Sequence, residues 1–385
     1  MKIHRIMAIL ICLSIFICAF AFDSYALPSA SEPEFKLDCR SAILIEANTG
    51  TVLYEMNADE ALPPASVTKI MTLLLVMEAI DDGRLSLTDT VTASANACSM
   101  GGSQIYLKEG EQMSVEDMLK SVVIASANDA AVALAEHIAG TEEAFVEMMN
   151  KKAGELGLKS TNFENTNGLD DTVDNHVTSA RDIAIMSRAL IAHKKILEYS
   201  SIWMDSIRNG EFGLTNTNRL IRFYKGATGL KTGSTAKAKF CVSATAERDG
   251  MSLICVVMAA PTRDVRNAIA TSLLDYGFSN YSLYRNEKSN MENVSVIGGV
   301  KDSCSVSELD FCKVVKKNEV NKITRTVEIE ERVAAPIKEG DRVGRCVYRF
   351  GDSIIGDSDI VATENIDKID FLGLLLRMLA KMTFC

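Results

Sequence analysis

The sequence reads Pro63-Pro64-Ala65-Ser66-Val67-Thr68-Lys69 where a long apolar helical pattern begins. Proline just before a first turn is typical of a helix start, so the pattern predicts a helix from Ser66 to Ile80 with Ser66 at the positive end of its dipole. Because residues three apart are neighbours on a helix face, the Ser66 hydroxyl and the Lys69 amine are expected side by side. A serine needs a base to take its proton, and a lysine desolvated near another cation can serve. Alone this S-x-x-K spacing is weak, since Ser234–Lys237 repeats it.

A second motif, Ser126-Ala127-Asn128, follows the apolar helical stretch Leu119 to Ala125. A serine hydroxyl can relay a proton, and an asparagine amide can both donate to and accept from a peptide substrate. The triplet Ser94-Ala95-Asn96 repeats the pattern, and such triplets are also common as helix caps or turns. The motif therefore indicates a polar site only in combination with others.

The third motif, Lys231-Thr232-Gly233, occurs once and precedes a predicted strand. Lysine supplies a second positive charge, threonine a hydroxyl for an anion, and glycine lets a substrate backbone approach closely. The segment from Phe212 to Ala246 has no acidic residue, and for most of its six cations we expect a solvated surface: Arg219, Arg222, Lys225, Lys231, Lys237 and Lys239.

Strand patterns at both ends of a helical middle predict one α+β domain over residues 27–280, whose sheet joins distant segments. The predicted strands are Ser41–Glu46, Thr51–Glu55, Phe240–Ala246 and Leu253–Ala259. The predicted helices after the first are Val115–Ser126, Ala130–Ala139, Glu142–Leu156, Ser179–Ala192 and Asp264–Tyr276.

The sequence pattern changes over residues 281–363, where it predicts a small all-β domain. Turn-prone glycine and aspartate stretches separate the short β-rich runs, and no helical pattern stands out. The predicted strands are Val294–Ile297, Phe311–Val315, Ile323–Ile329 and Arg342–Tyr348.

The two termini predict export and attachment to a membrane surface. Residues 1–26 combine a basic start, an apolar run and small residues, as in a secretory signal; an uncleaved N-terminal anchor is the alternative. Residues 364–385 repeat apolar residues at helical spacing from Ile366, with Arg377 and Lys381 on a narrow polar arc. The apolar run is too short to span a bilayer, which favours a helix lying in the membrane interface with its cations on anionic lipid. A terminal helix docked on the protein's own core is the alternative.

Composition excludes several classes of function. The formal charge of -10 argues against a nucleic-acid-binding surface. Only four histidines occur, and no C-x-x-C pair is present among ten cysteines, so neither a metal site nor a cofactor is predicted. Two cysteines lie within the predicted signal, and the spacing of the rest leaves their redox state open.

In this order, the S-x-x-K, S-x-N and K-T-G motifs resemble the signature of the penicillin-recognising serine enzymes. The sequence is most similar to the low-molecular-mass penicillin-binding proteins, the serine-type D-alanyl-D-alanine carboxypeptidases. The resemblance runs through residues 64–72 (PASVTKIMT), 100–104 (MGGSQ), 126–135 (SANDAAVALA), 165–170 (NTNGLD) and 229–233 (GLKTG).

The resemblance implies a β-lactamase/transpeptidase-like catalytic domain, with an antiparallel sheet flanked by helices, followed by an all-β domain and an amphipathic anchor helix. It implies Ser66 as nucleophile, Lys69 as general base and Ser126 as proton shuttle. The implied substrate-binding residues are Asn128, Lys231, Thr232, Gly233, Ser234 and Arg266, with the N–H groups of Ser66 and Ser234 as oxyanion hole. Serine at position 234, where relatives often carry histidine or tyrosine, leaves a smaller wall beside the substrate.

The expected activity is removal of the terminal D-alanine from peptidoglycan pentapeptides through a serine acyl-enzyme that β-lactams trap. Two alternatives remain open from the residues: a serine β-lactamase, and a non-catalytic penicillin-binding sensor or scaffold. A Ser-His-Asp triad around His137 or His176 is a third, although neither histidine has a serine motif beside it.

Overall fold

The computed structural model describes residues 36–286 and 291–383. The predicted signal at residues 1–26 and the leader after it lie outside the described residues. The first part of the described chain contains nine strands: β1 (Ser41–Glu46), β2 (Val52–Met56), β3 (Thr90–Thr92), β4 (Gln112–Ser114), β5 (Met204–Ile207), β6 (Phe212–Thr215), β7 (Ala227–Thr235), β8 (Lys239–Arg248) and β9 (Met251–Ala260). Its helices are α1 (Lys69–Asp81), α2 (Ala95–Cys98), α3 (Val115–Lys120), α4 (Asn128–Ala139), α5 (Glu142–Glu155), α6 (Ala180–Ala192), α7 (Lys195–Ser200), α8 (Leu220–Phe223) and α9 (Arg263–Asn280).

Five strands form one antiparallel sheet in the order β2-β1-β9-β8-β7, so its first two strands meet three that come about 200 residues later. Helices α1 and α4, which carry the first two motifs at their N-terminal ends, are buried along most of their length. Their apolar side chains form one core with the inner face of the sheet. The predicted α+β class is confirmed.

Three elements near the motifs differ from the prediction. The first helix opens with a 3-10 turn, Ala65–Thr68, and becomes α-helical only at Lys69. The helix predicted to end at Ser126 is α-helical only to Lys120 and continues as a π-helical turn over Ser121–Ala125. The K-T-G triplet precedes the predicted strand, which is β8, but it also lies within a strand that was not predicted, β7, whose pairing with β8 extends to both sides of the triplet.

The second part is built from strands, as predicted, around a core of its own centred on Tyr348 and Val343. The strands are β10 (Tyr281–Arg285), β11 (Val294–Ile297), β12 (Ser303–Cys304), β13 (Val306–Glu308), β14 (Cys312–Lys316), β15 (Ile323–Ile329), β16 (Arg332–Ala334), β17 (Arg342–Phe350) and β18 (Ser353–Ala362). Four of them form an antiparallel sheet in the order β13-β18-β17-β15, of which the sequence patterns did not predict β18.

The C-terminal helix, α10 (Phe371–Thr383), begins later than its sequence pattern. Ile366 is not part of it, because Ile366 bridges Ile337 and is buried in the β core. Arg377, expected to face lipid, donates instead to Asp302 Oδ1 and to the Val300 carbonyl, both at 2.6 Å. The described part of the chain does not cover the apolar face, whose exposed side chains are Phe371, Leu372, Leu374, Leu375, Leu376, Met378, Leu379 and Met382. Across residues 36–286 and 291–383, no helix combines the length and apolarity needed to cross a bilayer.

Candidate active site

The Ser66 hydroxyl and the Lys69 amine lie together, as the S-x-x-K spacing predicts. Lys69 is fully buried, and its Nζ lies 3.0 Å from Ser66 Oγ. The same amine donates to Asn128 Oδ1 at 2.5 Å and to the Asn167 carbonyl at 2.8 Å. Its hydrogen bonds within the described residues thus go to neutral groups. Asn167 belongs to a segment that carried the resemblance, but sequence reasoning gave it no role.

Burial, and secondarily the charge of Lys231, hold the pKa of Lys69 well below its usual value, with Asp129 opposing. A buried ammonium loses hydration that neutral partners replace only in part, so the neutral amine is favoured. A neutral amine 3.0 Å from a hydroxyl can accept its proton. The pair thus has the geometry and the charge state of a nucleophile with its base.

The turn that carries Ser66 is fixed from two sides by glycines. A Cβ on Gly233 would come within 2.8 Å of both the Pro64 carbonyl oxygen and the Ser66 nitrogen. A Cβ on Gly168 would lie 1.8 Å from the Ala65 carbonyl oxygen, and Gly168 has a φ of +85°. Glycine is therefore needed at both positions. At Gly233 the missing side chain makes room for the turn that carries Ser66, and not only for the substrate backbone that the sequence analysis considered.

Ser126 points its hydroxyl at the third motif. Its backbone is left-handed, with φ 65°, directly after the π-helical turn. Lys231 Nζ donates to Ser126 Oγ at 2.8 Å and to the Thr232 carbonyl at 3.1 Å. Burial and then the charge of Arg266 lower the pKa of Lys231 to about 7. The second and third motifs therefore meet through one hydrogen bond whose donor titrates near neutral pH.

Asn128 contacts protein at both ends of its amide. Its Oδ1 accepts from Lys69, and its Nδ2 donates to the Gly101 carbonyl at 2.7 Å. The neighbouring Asp129 carboxylate is buried and accepts the backbone N–H groups of Ile105 and Leu107. Together they hold the segment around Gly101 against α4, and a substrate contact by Asn128 would have to share these groups.

A cavity of about 650 Å³ opens between these motifs. Ser66, Ser126, Thr232, Gly233, Ser234 and Arg266 line it, so it joins residues of all three motifs. Arg266 is buried on α9 and donates to the Cys241 carbonyl at 3.2 Å. Burial first, and then nearby arginines, lower its pKa to about 10. Sequence reasoning missed further lining residues, namely Ser103, Trp203, Thr217, Phe223 and Arg263, and gave Arg219 and Arg222 no role beyond a solvated surface.

The repeated motifs and the histidines lie elsewhere. Ser94 caps α2 through the Ala97 N–H, as a helix-cap interpretation of that triplet predicts. Lys237, the end of the second S-x-x-K, donates to the Asp170 carbonyl at 2.7 Å. His176 bonds Thr68 Oγ1 at 2.7 Å, and burial lowers its pKa to about 4. His137 is exposed on α4. Within the described residues neither histidine contacts a serine hydroxyl, which removes the support for a Ser-His-Asp triad.

Comparisons with known proteins show the family to which the chain belongs. A family profile described as D-alanyl-D-alanine carboxypeptidase matches residues 27–262, and one described as penicillin-binding protein 5, C-terminal domain, matches residues 278–368. The chain is 40% identical over 379 residues to the D-alanyl-D-alanine carboxypeptidase DacF of Bacillus subtilis, covering 96% of this chain and 97% of that protein.

The solved structures similar to the chain include two penicillin-binding proteins. Penicillin-binding protein 5 from Haemophilus influenzae aligns with a TM-score of 0.74 at 30% identity, over 87% of this chain and 99% of that one. Penicillin-binding protein D2 from Listeria monocytogenes, in its ampicillin-bound form, aligns with a TM-score of 0.59 at 33% identity. The second alignment covers 64% of this chain and all of that one.

Proposed function

Because the chain belongs to the D-alanyl-D-alanine carboxypeptidase family, we propose that it removes the terminal D-alanine from peptidoglycan pentapeptides through an ester formed on Ser66 Oγ. The observation that carries this proposal is the buried Lys69 amine, 3.0 Å from Ser66 Oγ and bonded otherwise to neutral groups. No metal or cofactor takes part in the proposed reaction.

In the first step, Lys69 Nζ takes the proton of Ser66 Oγ as the oxygen attacks the carbonyl between the two D-alanines. The N–H groups of Ser66 and Ser234, two residues that line the cavity, donate hydrogen bonds to the developing oxyanion. Lys231, Thr232 and Arg266 bind the terminal carboxylate, since a guanidinium and an ammonium suit that group.

As the C–N bond breaks, the leaving amine needs a proton. Ser126 Oγ supplies it, and the proton that Lys69 took from Ser66 replaces the one that Ser126 gives up, so Lys69 is neutral again after acylation. The hydrogen bond from Lys231 at 2.8 Å supports this role because it orients the Ser126 hydroxyl, while Lys231 keeps its charge for the carboxylate. Free D-alanine leaves, and the acyl group remains on Ser66. Water, activated by Lys69, then hydrolyses the ester and frees Ser66 for another cycle. A β-lactam also forms an ester on Ser66 Oγ, but the amine of its opened ring stays attached to the acyl group and does not leave.

The proposal is tested by incubating the purified protein with an acylated L-Lys-D-Ala-D-Ala peptide and measuring free D-alanine, with and without penicillin. We expect release that penicillin abolishes, and a Ser66→Ala variant that neither releases D-alanine nor is labelled by penicillin. Ser99→Ala, an exposed serine outside the cavity, serves as the matched control and should keep both activities.

Two results would contradict the proposal. Turnover of penicillin within seconds would identify a β-lactamase, and penicillin labelling without D-alanine release would identify a sensor. Release by the Ser66→Ala variant would overturn the assignment of the nucleophile.

We further propose that residues 1–26 direct export and that α10 holds the enzyme on the outer face of the cytoplasmic membrane. The exposed apolar side chains of α10 support this, since they would bury in the acyl boundary of a bilayer. Arg377 is held by Asp302, so apolar contacts supply most of the attachment. A Phe371→Gln/Leu375→Gln variant should no longer sediment with lipid vesicles, whereas Ile354→Gln, an exposed residue of β18, should bind like the unmodified protein. Equal binding by both variants would contradict this role for α10.

A further inference from the structure

The cavity holds more positive charge than one carboxylate needs. Among residues 36–286 and 291–383, four arginines line it, Arg219, Arg222, Arg263 and Arg266, and no acidic residue does. The proposed mechanism uses Arg266 together with Lys231 for the terminal carboxylate. Arg219, Arg222 and Arg263, which we term the arginine cluster, have no part in that step.

The arginine cluster adjoins the end of the cavity where the terminal carboxylate is proposed to bind. Thr232 Oγ1 donates to Thr217 Oγ1 at 2.8 Å, and Thr217 precedes Arg219 by two residues. Arg263 and Arg219 both lie close enough to Arg266 to lower its pKa, which Asp264 partly opposes. Asp264 itself does not line the cavity. The cluster therefore faces the leaving residue rather than the acyl part of a substrate.

The side chains of the cluster are available to a ligand. All three are exposed, and none forms an ion pair or a side-chain hydrogen bond with another of the described residues. Arg222 packs instead over the rings of Trp203 and Phe223, with its guanidinium carbon 5.6 and 5.5 Å from the ring centroids. Stacking on rings orients a guanidinium while leaving its N–H donors available.

We infer that the arginine cluster selects peptides whose leaving D-residue carries a second carboxylate, as D-glutamate does in place of D-alanine. The inference rests on the proposed function and extends it to a substrate class. The reaction stays the same: water adds across the amide, and the acidic D-amino acid leaves with the amine proton. A cavity of about 650 Å³ is within the range that holds whole small-molecule ligands, so the larger side chain has room.

The test compares kcat/KM for three peptides that share the acyl part and end in D-Ala-D-Ala, D-Ala-D-Glu or D-Ala-D-Gln. Glutamine has the shape of glutamate without its charge, so the Glu-to-Gln ratio isolates the second carboxylate. We expect a ratio of about ten, the effect of one charge-assisted contact in a partly exposed site. An Arg219→Gln/Arg222→Gln/Arg263→Gln variant, which removes the whole arginine cluster, should bring the ratio close to one. Lys225→Gln, an exposed cation of the same segment that does not line the cavity, should keep the ratio of the unmodified protein.

Three results would overturn the inference: a ratio near one in the unmodified protein, a ratio that survives the triple substitution, or an equal loss on all three peptides, which indicates general electrostatic attraction. Penicillin labelling of each variant at the normal rate checks that it is folded. Failure to release D-alanine from the D-Ala-D-Ala peptide would instead count against the proposed function, so the two failures are distinguishable.

Discussion

The two parts of the molecule differ in whether a buried ionisable side chain has a partner of opposite charge. In the second part, the Glu308 side chain is 4% exposed, and its carboxylate accepts hydrogen bonds from Arg325, Tyr348 and Ser358. In the first part, Lys69 is buried, its hydrogen-bond partners among the described residues are all neutral, and the buried Lys231 is near enough to lower its pKa. Buried charges are normally paired, so a buried amine without an anionic partner indicates a group that loses its proton in the course of its function.

The pKa directions express the same contrast. Burial alone would raise the pKa of Glu308, but its hydrogen bonds from Ser358, Tyr348 and Arg325 outweigh that effect and hold the pKa below its ordinary value. Nothing comparable offsets the burial of Lys69, so its pKa falls. The paired carboxylate keeps its charge and stabilises the fold, whereas the unpaired amine gives up its proton and can act as a base.

The largest effect should come from Lys69→Met, which removes the base and nearly preserves the volume of the side chain. We expect the rate of penicillin acylation to fall by about 10³-fold, the usual scale of general-base catalysis. The free energy of unfolding should change little, because two effects oppose each other. Lys69→Met leaves the acceptors of Asn128 and Asn167 without a donor, which destabilises the fold, but it also removes the cost of burying an amine. Stopped-flow acylation and urea unfolding measure the two quantities.

A Lys69→Arg variant distinguishes a role of Lys69 as a base from a role as a positive charge. The guanidinium keeps a positive charge and several donors but does not deprotonate near neutral pH. If Lys69 acts as a base, Lys69→Arg should be as slow as Lys69→Met. Retention of most of the acylation rate by Lys69→Arg would mean that Lys69 contributes its charge rather than its lone pair.

The opposite result is expected in the second part of the chain. Glu308→Gln removes the carboxylate and leaves the Arg325 guanidinium without its charge partner, so we expect a loss of about 3 kcal/mol in the free energy of unfolding. Penicillin acylation should be unaffected. Glu328→Gln is the matched control, because Glu328 and Arg345 form an exposed pair and exposed pairs contribute little. Equal destabilisation by the two variants would remove the distinction between a structural and a solvated pair.

Much of the fold could be predicted from local periodicity. Strands Val294–Ile297 and Ile323–Ile329 have the predicted bounds, and the helices of the core differ from theirs by a few residues. The strand that carries Lys231 was missed, because a stretch of glycine, threonine and lysine lacks the alternation that marks a strand. Its pairing with β8 and its contact with the turn at Ser66 form only in the folded chain.

That the residues of the three motifs lie together could be predicted from the sequence, but the electrostatics of the candidate site could not. The order of the three motifs, through their resemblance to a known family, brought together Ser66, Ser126 and Lys231, which all contribute to the same site. No sequence pattern shows that Ser126 adopts a left-handed backbone or that Lys231 donates to it. The expectation of a solvated surface fits Lys225 and Lys239, but Arg219 and Arg222, although exposed, also line the cavity. Which cations face a common space depends on tertiary packing, which spacing along the chain does not encode.

The smallest expected effect is the change in the pKa of Lys231 when the neighbouring Arg266 is substituted. Lys231 has a pKa of about 7, lowered by burial and then by Arg266. As pH rises through that value Lys231 loses its proton, so kcat/KM for a peptide with a terminal carboxylate should decline on the alkaline side. Arg266→Gln removes a positive neighbour, which raises the pKa of Lys231 and moves the decline to higher pH, in addition to weakening binding overall.

Arg263→Gln is the control for that shift, because Arg263 lies one turn of α9 or less from Arg266 but is not among the groups that perturb Lys231. Its alkaline midpoint should match that of the unmodified protein. The measurement is the pH profile of kcat/KM rather than a single rate, since any loss of binding lowers the whole curve while only a change at Lys231 moves its midpoint. A profile for Arg266→Gln that drops without moving would mean that Arg266 contacts the substrate but leaves Lys231 untouched, and the two cations would then act independently.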